Sequence, residues 1–163
     1  MFDDFYLNVE LIHEDAKVPT RANINDVGFD IYTPQEVMIK PMIEIGYGYN
    51  NDSVIFNNYN SILISTGIKV EFPKGYCLKI VEKSGRSAKD QLIIGACIID
   101  PDYRGEIKVN LFNLGNESII IEKGEKIAQM IVIPVWTGKI NVVKKVNEKT
   151  DRGEGGFGST GLK

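Results

Sequence analysis

The chain has 163 residues, 43% of them hydrophobic and 25% charged, which suits one globular domain with a real core. Its net charge of −3 argues against a broad nucleic-acid surface, and its acidic start, MFDDFYLNVE, lacks the basic-then-apolar order of a secretory signal. Cys77, Cys97 and the single His13 exclude a disulfide framework and a histidine-rich zinc site, no run could span a membrane, and a cytoplasmic setting is expected.

In chain order, VGFDIYT (27–33) sets Asp30 among apolar neighbours after a glycine, where a turn-capping aspartate would also stand. IEIGYGYNNDSVIFNNYN (43–60) is rich in Asn, Tyr and Gly and reads as a long hairpin or surface excursion. In GIKVEFP, Ile68, Val70 and Phe72 alternate with Lys69 and Glu71, the period of a half-buried strand. EKSGRSA (82–88) puts a cation, a hydroxyl and a glycine side by side. Such a turn presents N–H groups and Ser84 to a phosphate, or simply precedes the short helix expected over Ser87 to Leu92.

IIDPDYRGE (98–106) predicts a hairpin with Asp100 at the end of its first strand, a carboxylate where burial should be deepest. EIKVNLF continues the alternation through Ile107, Val109 and Leu111. The fuller runs SIIIE (118–122) and MIVIPV (130–135) predict strands covered on both faces, and KGEKIAQM leads Gln129 into the second of them. From about Asn147 the chain turns polar and glycine-rich, reaching RGEGGFGSTG at 152–161. Gly153 to Gly158 formally matches G-x-G-x-x-G, but that motif needs a helix after it, and five residues leave no room for one. Many short strands and one small helix predict a single-domain, all-β sandwich or barrel.

Five of these stretches, in this order, resemble the motifs of the trimeric dUTP diphosphatase (dUTPase) family. They are Val27-Gly28-Phe29-Asp30-Ile31, Lys83-Ser84-Gly85, Gly95 through Gly105, Gly124 through Gln129, and Arg152 through Gly161. The third and fifth are the specific ones, and the likeness runs from Pro19 onward. It implies a β-jelly roll, a distorted barrel with one short helix, assembled as a homotrimer. Residues 1–146 would form the domain, with 43–60 as an insertion, and 147–163 an arm closing over a neighbouring subunit's site.

The resemblance further implies Mg2+-dependent hydrolysis of dUTP to dUMP and pyrophosphate, which keeps uracil out of DNA and supplies dUMP for thymidylate synthesis. Asp100 matches the carboxylate that activates water for attack on the α-phosphorus. Asp30 matches the residue that meets the metal through water, Mg2+ being held mainly by the substrate phosphates. Lys83, Ser84, Gly85 and Gln129 fall on phosphate-contacting positions. Cys97, Ile98 and Lys108 would read uracil through their backbone, Ile99 adjoins them, and Tyr103 would pack on the deoxyribose. In the arm, Arg152 would reach the γ-phosphate, Phe157 lie over the base, and Gly158, Ser159 and Thr160 donate to the phosphates.

Two departures stand out: Lys83 replaces the usual arginine and loses its bidentate fork, and Cys97 replaces a common glycine. The related dCTP deaminases resemble a serine–arginine–glutamate constellation, and here Ala88 and Asn110 stand where its arginine and glutamate would be.

Overall fold

The computed structural model describes residues 5–47, 53–57 and 61–155. Among them the chain forms β1 (Asn8–Leu11), β2 (Phe29–Tyr32), β3 (Val37–Ile39), β4 (Ile43–Tyr47), β5 (Ser53–Asn57), β6 (Ile62–Ser65), β7 (Ile68–Glu71) and β8 (Tyr76–Val81). One helix, α1 (Ser84–Asp90), follows, then β9 (Leu92–Ile94), β10 (Ile98–Ile99), β11 (Lys108–Asn113), β12 (Ile119–Ile121) and β13 (Lys126–Pro134). The fold is nearly all β, as the alternation predicts.

Two sheets have three or more strands among the described residues. One has the order β10-β8-β13-β2 and the other β6-β11-β9; β1-β7, β12-β3 and β4-β5 are two-stranded, and every strand pair is antiparallel. The β4-β5 ribbon, Ile43 facing Asn57 and Tyr47 facing Ser53, lies within the 43–60 stretch expected to form a hairpin. Alternating residues converge on one core. Ile68, Val70 and Phe72 from one run and Ile107, Val109 and Leu111 from another are all buried, with Ile31, Leu78, Ile80 and Met130 packed among them. Burying each such side chain contributes roughly 1.5–3 kcal/mol, so the inward face of each strand sets its register.

Four local expectations are corrected. The helix begins at Ser84 rather than Ser87 and ends at Asp90, with Gln91 left-handed (φ 54°) as its C-cap. Gly85 weakens a helix interior, but it occupies the first turn, where no intrahelical N–H bond is lost. The apolar runs are not covered on both faces: β12 pairs only with β3 among the described strands, and Ile120 is 54% exposed.

The 98–106 stretch is not a simple hairpin. β10 pairs with β8, whereas β11 pairs with β6 and β9, so the chain crosses from one sheet to the other between them. The tight turn is present, with the Tyr103 N–H donating to the Asp100 carbonyl at 3.1 Å. Asp100 itself is exposed rather than deeply buried, because the turn carries it off the end of β10.

Candidate active site

The first cluster forms where β2, β13 and the start of α1 meet. On β2, Ile31 points into the core and Asp30 to the opposite face, yet Asp30 is only 4% exposed. It is a strand residue, not a turn cap: its N–H donates to the Thr20 carbonyl at 2.7 Å, and Gln129 lies opposite it on β13. Each carboxylate oxygen meets a lysine. Lys83 Nζ donates to Oδ1, and Lys126 Nζ to Oδ2 at 2.6 Å. Burial alone would push the Asp30 carboxyl up, but the hydrogen bonds from Lys126 and Lys83 prevail and hold it below its ordinary value of 3.8. Lys83 and Asp30 open onto a cavity of about 340 Å3, lined in part also by Asp26, Gly28 and Gln129, while Lys126 pairs with Asp30 without lining it.

Gln129 is held by a hydrogen bond from Nε2 to the Glu82 carbonyl at 2.8 Å. Gly28 makes room for it, since a Cβ there would stand 2.2 Å from Gln129 Oε1. Ser84 and Gly85 are exposed immediately after Lys83, with open space beside Gly85.

Arg86 locks α1 to the turn before β13. Its Nη1 pairs with Asp90 Oδ2 and its Nη2 with Glu125 Oε2, both at 2.9 Å, while Nε donates to the Lys126 carbonyl at 3.3 Å. The Glu122 backbone N–H, followed by Arg86, draws the Glu125 carboxyl below its ordinary 4.5 against the opposing effect of burial. A carboxyl lowered by folding stabilises the native state above its unfolded value, and that contribution disappears as pH falls through the lowered one. Glu125→Gln should therefore lower Tm at pH 7, and the gap to wild type should close as the pH falls through the lowered value. Thermal melts at pH 3.5 to 7 check this.

The second cluster lies at the far edge of the same sheet. Leu63, Ile98, Ile99, Asp100, Tyr103, Glu106 and Lys108 line a cavity of about 310 Å3 between the end of β10 and the start of β11. Because these two strands do not pair with each other, their facing edges form a slot. Ile107 fixes one wall: its N–H donates to the Ile68 carbonyl at 2.9 Å, and its own carbonyl accepts from Thr66 Oγ1 at 2.6 Å. Tyr103 Oη donates to the Glu106 carbonyl at 2.9 Å, and its ring leans over Gly105, where a Cβ would come within 2.3 Å of Oη. Cys97 does not line the slot; its carbonyl accepts from the Ile80 N–H at 2.7 Å.

The structure thus gathers Asp30, Lys83 and Gln129 in one place and Ile98, Ile99, Asp100, Tyr103 and Lys108 in another. It does not join the two within a protomer. On β8, Ile99 is level with Leu78 and Gln129 with Val81, while β10 and β13 flank β8 on opposite sides. At about 3.4 Å per residue and 4.8 Å between strands, Asp100 is about 17 Å from Gln129 and further from Asp30.

A larger cavity, about 730 Å3, lies elsewhere, lined by apolar residues including Phe5, Leu7, Val18 and Phe29, and holds none of the expected site residues. Arg152 is exposed, lines neither cavity and donates from Nε to the Gly155 carbonyl at 2.9 Å; Phe157, Gly158, Ser159 and Thr160 lie outside the described residues. Sequence reasoning missed Lys126 and Arg86. Strict alternation would have turned Lys126 to the core side with Ala128, and no motif marks Arg86.

The dUTPase family model matches residues 49–161. The deoxyuridine 5'-triphosphate nucleotidohydrolase of Hydrogenobaculum sp. is 39% identical over 160 residues, covering 96% of this chain and 99% of that one. The enzyme of the same name from Clostridium novyi is 38% identical over 158 residues, covering 96% and 99%. A variant of the Staphylococcus bacteriophage 80alpha dUTPase, solved with dUpNHpp, superposes with a TM-score of 0.82 at 27% identity, covering 96% of this chain and 99% of that chain. Among the described residues no helix is long and apolar enough to cross a membrane. With strand architecture, ordered motifs and near-complete coverage in agreement, the chain belongs to the dUTPase family of dUTP diphosphatases.

Proposed function

We propose that the chain hydrolyses dUTP to dUMP and pyrophosphate at sites completed between copies of itself, arranged as a homotrimer of jelly-roll domains. The separation of Asp100 from the Asp30–Lys83–Gln129 cluster carries this reading. With its backbone about 17 Å from that of Gln129, Asp100 is better placed to act beside another protomer's Lys83–Gln129 cluster than beside its own. The surface agrees: Trp136, Ile140, Val142 and Val146 are 70–91% exposed in the protomer, more contiguous apolar chain than a lone soluble domain usually shows.

In this reading uracil enters the slot between β10 and β11, where the backbone around Ile98 and Lys108 matches its acceptor–donor–acceptor edge. Cytosine would leave buried polar groups unpaired, a mismatch able to cost about 10⁴-fold in discrimination. Tyr103, held by Gly105 and Glu106, packs on the sugar and leaves no space for a 2′-hydroxyl. Asp100 accepts a proton from water as that oxygen bonds to the α-phosphorus and the bond to the bridging oxygen of pyrophosphate breaks. Lys83, Ser84, Gly85 and Gln129 hold the phosphates, and the 147–163 arm folds over them, with Arg152 on the γ-phosphate, Phe157 over the base, and Gly158, Ser159 and Thr160 donating to phosphate oxygens.

Among the described residues no three His, Cys, Asp or Glu side chains gather to hold an ion, and both Asp30 oxygens face lysines. This donor set fits a Mg2+ that arrives ligated by the triphosphate and meets Asp30 through water, rather than one caged by protein. Bound there, Mg2+ would neutralise phosphate charge and favour in-line geometry.

Mixed oligomers test the shared site. Asp100→Asn and Ser84→Ala, each nearly inactive alone, should regain about a quarter of wild-type turnover when co-assembled in equal amounts, since an intact Asp100 and an intact Ser84 each reach a given site half the time. No recovery in verified mixed oligomers would overturn the proposal.

A further inference from the structure

Lys126 belongs to none of the phosphate-contacting positions named above, yet the strand is deformed to present it. Between Lys126 and Ala128 the register of β13 against β2 shifts: Gln129 faces Asp30 and Ala128 faces Ile31, but Lys126, not Ile127, faces Tyr32. An extra residue in one strand is a β-bulge, and bulges re-aim side chains. Without it Lys126 would share the core side with Ala128 and Met130, which are 0% exposed, and Ile127 would take the Asp30 side. With it Ile127 is buried at 1% exposure and Lys126 reaches Asp30 Oδ2. Arg86 fastens the bulge by donating to the Lys126 carbonyl.

The charge count gives the bulge a purpose. In the free protein Lys83, the phosphate-binding cation, is occupied by Asp30. To serve a triphosphate it must leave a buried carboxylate, which a metal met through water would compensate only indirectly and Lys126 compensates in direct contact. We propose that Lys126 is a positioning residue that keeps Asp30 paired while Lys83 transfers to the substrate phosphates, so that the Lys83–Asp30–Lys126 triad is a cation-release device. This rests on the phosphate reading of the cluster and deepens it. Lys126 needs no contact with the nucleotide: it sets the fraction of molecules whose Lys83 is available, and apparent affinity scales with that fraction.

Calorimetry of the full chain with inorganic tripolyphosphate in Mg2+ buffer, and separately with dUMP, tests it. Lys126→Met should weaken tripolyphosphate binding and raise the KM for dUTP by about tenfold, with kcat within about threefold and dUMP affinity unchanged. Lys126→Arg should restore both. In an Asp30→Asn background, where no carboxylate needs compensation, Lys126→Met should cost nothing further. That cycle also covers the case in which the single variant folds poorly. A loss that persists in the Asp30→Asn background would make Lys126 a direct phosphate ligand and overturn the proposal, as would wild-type tripolyphosphate affinity in Lys126→Met. A wild-type protein that binds no tripolyphosphate would instead overturn the phosphate reading on which the proposal stands, and the proposal with it.

Discussion

Asp100→Asn is expected to lower kcat for dUTP by about 10³-fold while changing affinity for the non-hydrolysable analogue dUpNHpp by less than about threefold, since an amide cannot accept the proton that a general base removes. The substitution is clean for a structural reason. Asp100 is exposed, and its part in the turn is a carbonyl accepting from the Tyr103 N–H, which asparagine retains. Folding stability should shift by no more than about 0.5 kcal/mol. Quenched-flow measurement of pyrophosphate release, beside calorimetric titration of the analogue, checks both halves. Unchanged turnover would remove Asp100 from the chemistry.

Deleting residues 151–163 should lower kcat/KM by about 10²-fold or more, through loss of the phosphate donors and of the cover that excludes water. Tm should stay within about 2 °C, because Asp151 to Glu154 are exposed and, among the described residues, the Arg152 side chain bonds within its own turn, to Gly155. Dilution-independent steady-state kinetics of the shortened chain, with differential scanning calorimetry, separates a lost arm from a lost fold. Full activity in the truncated protein would reject any role for the arm.

Much of the framework was readable from periodicity. Ile68, Val70 and Phe72, and Ile107, Val109 and Leu111, alternate so strictly that burial could place them in only one way. The ordered motifs singled out Asp30, Lys83, Gln129, Asp100 and Tyr103, which the structure distributes between two cavities. What could not be read depended on long-range pairing. IIDPDYRGE has every local mark of a hairpin, and only the competing partners β8 for Ile98–Ile99 and β6 and β9 for β11 pull its arms apart. The ion pairs of Asp30 were hidden because one partner is 53 residues away and the other depends on a bulge invisible to pattern counting. Arg86 sits in a stretch where any polar residue would have seemed acceptable, and its worth appears only once Glu125 is beside it.

Because the chain changes sheets at Ile107, the two walls of the 310 Å3 slot ride on separate slabs, and the fully buried Ile107 is the rivet between them. The width of the gap is then a property of the interior, not only of the residues that edge it. Trimming Ile107 to valine would loosen that joint, so the shape of the slot can be tuned from a position that does not line it.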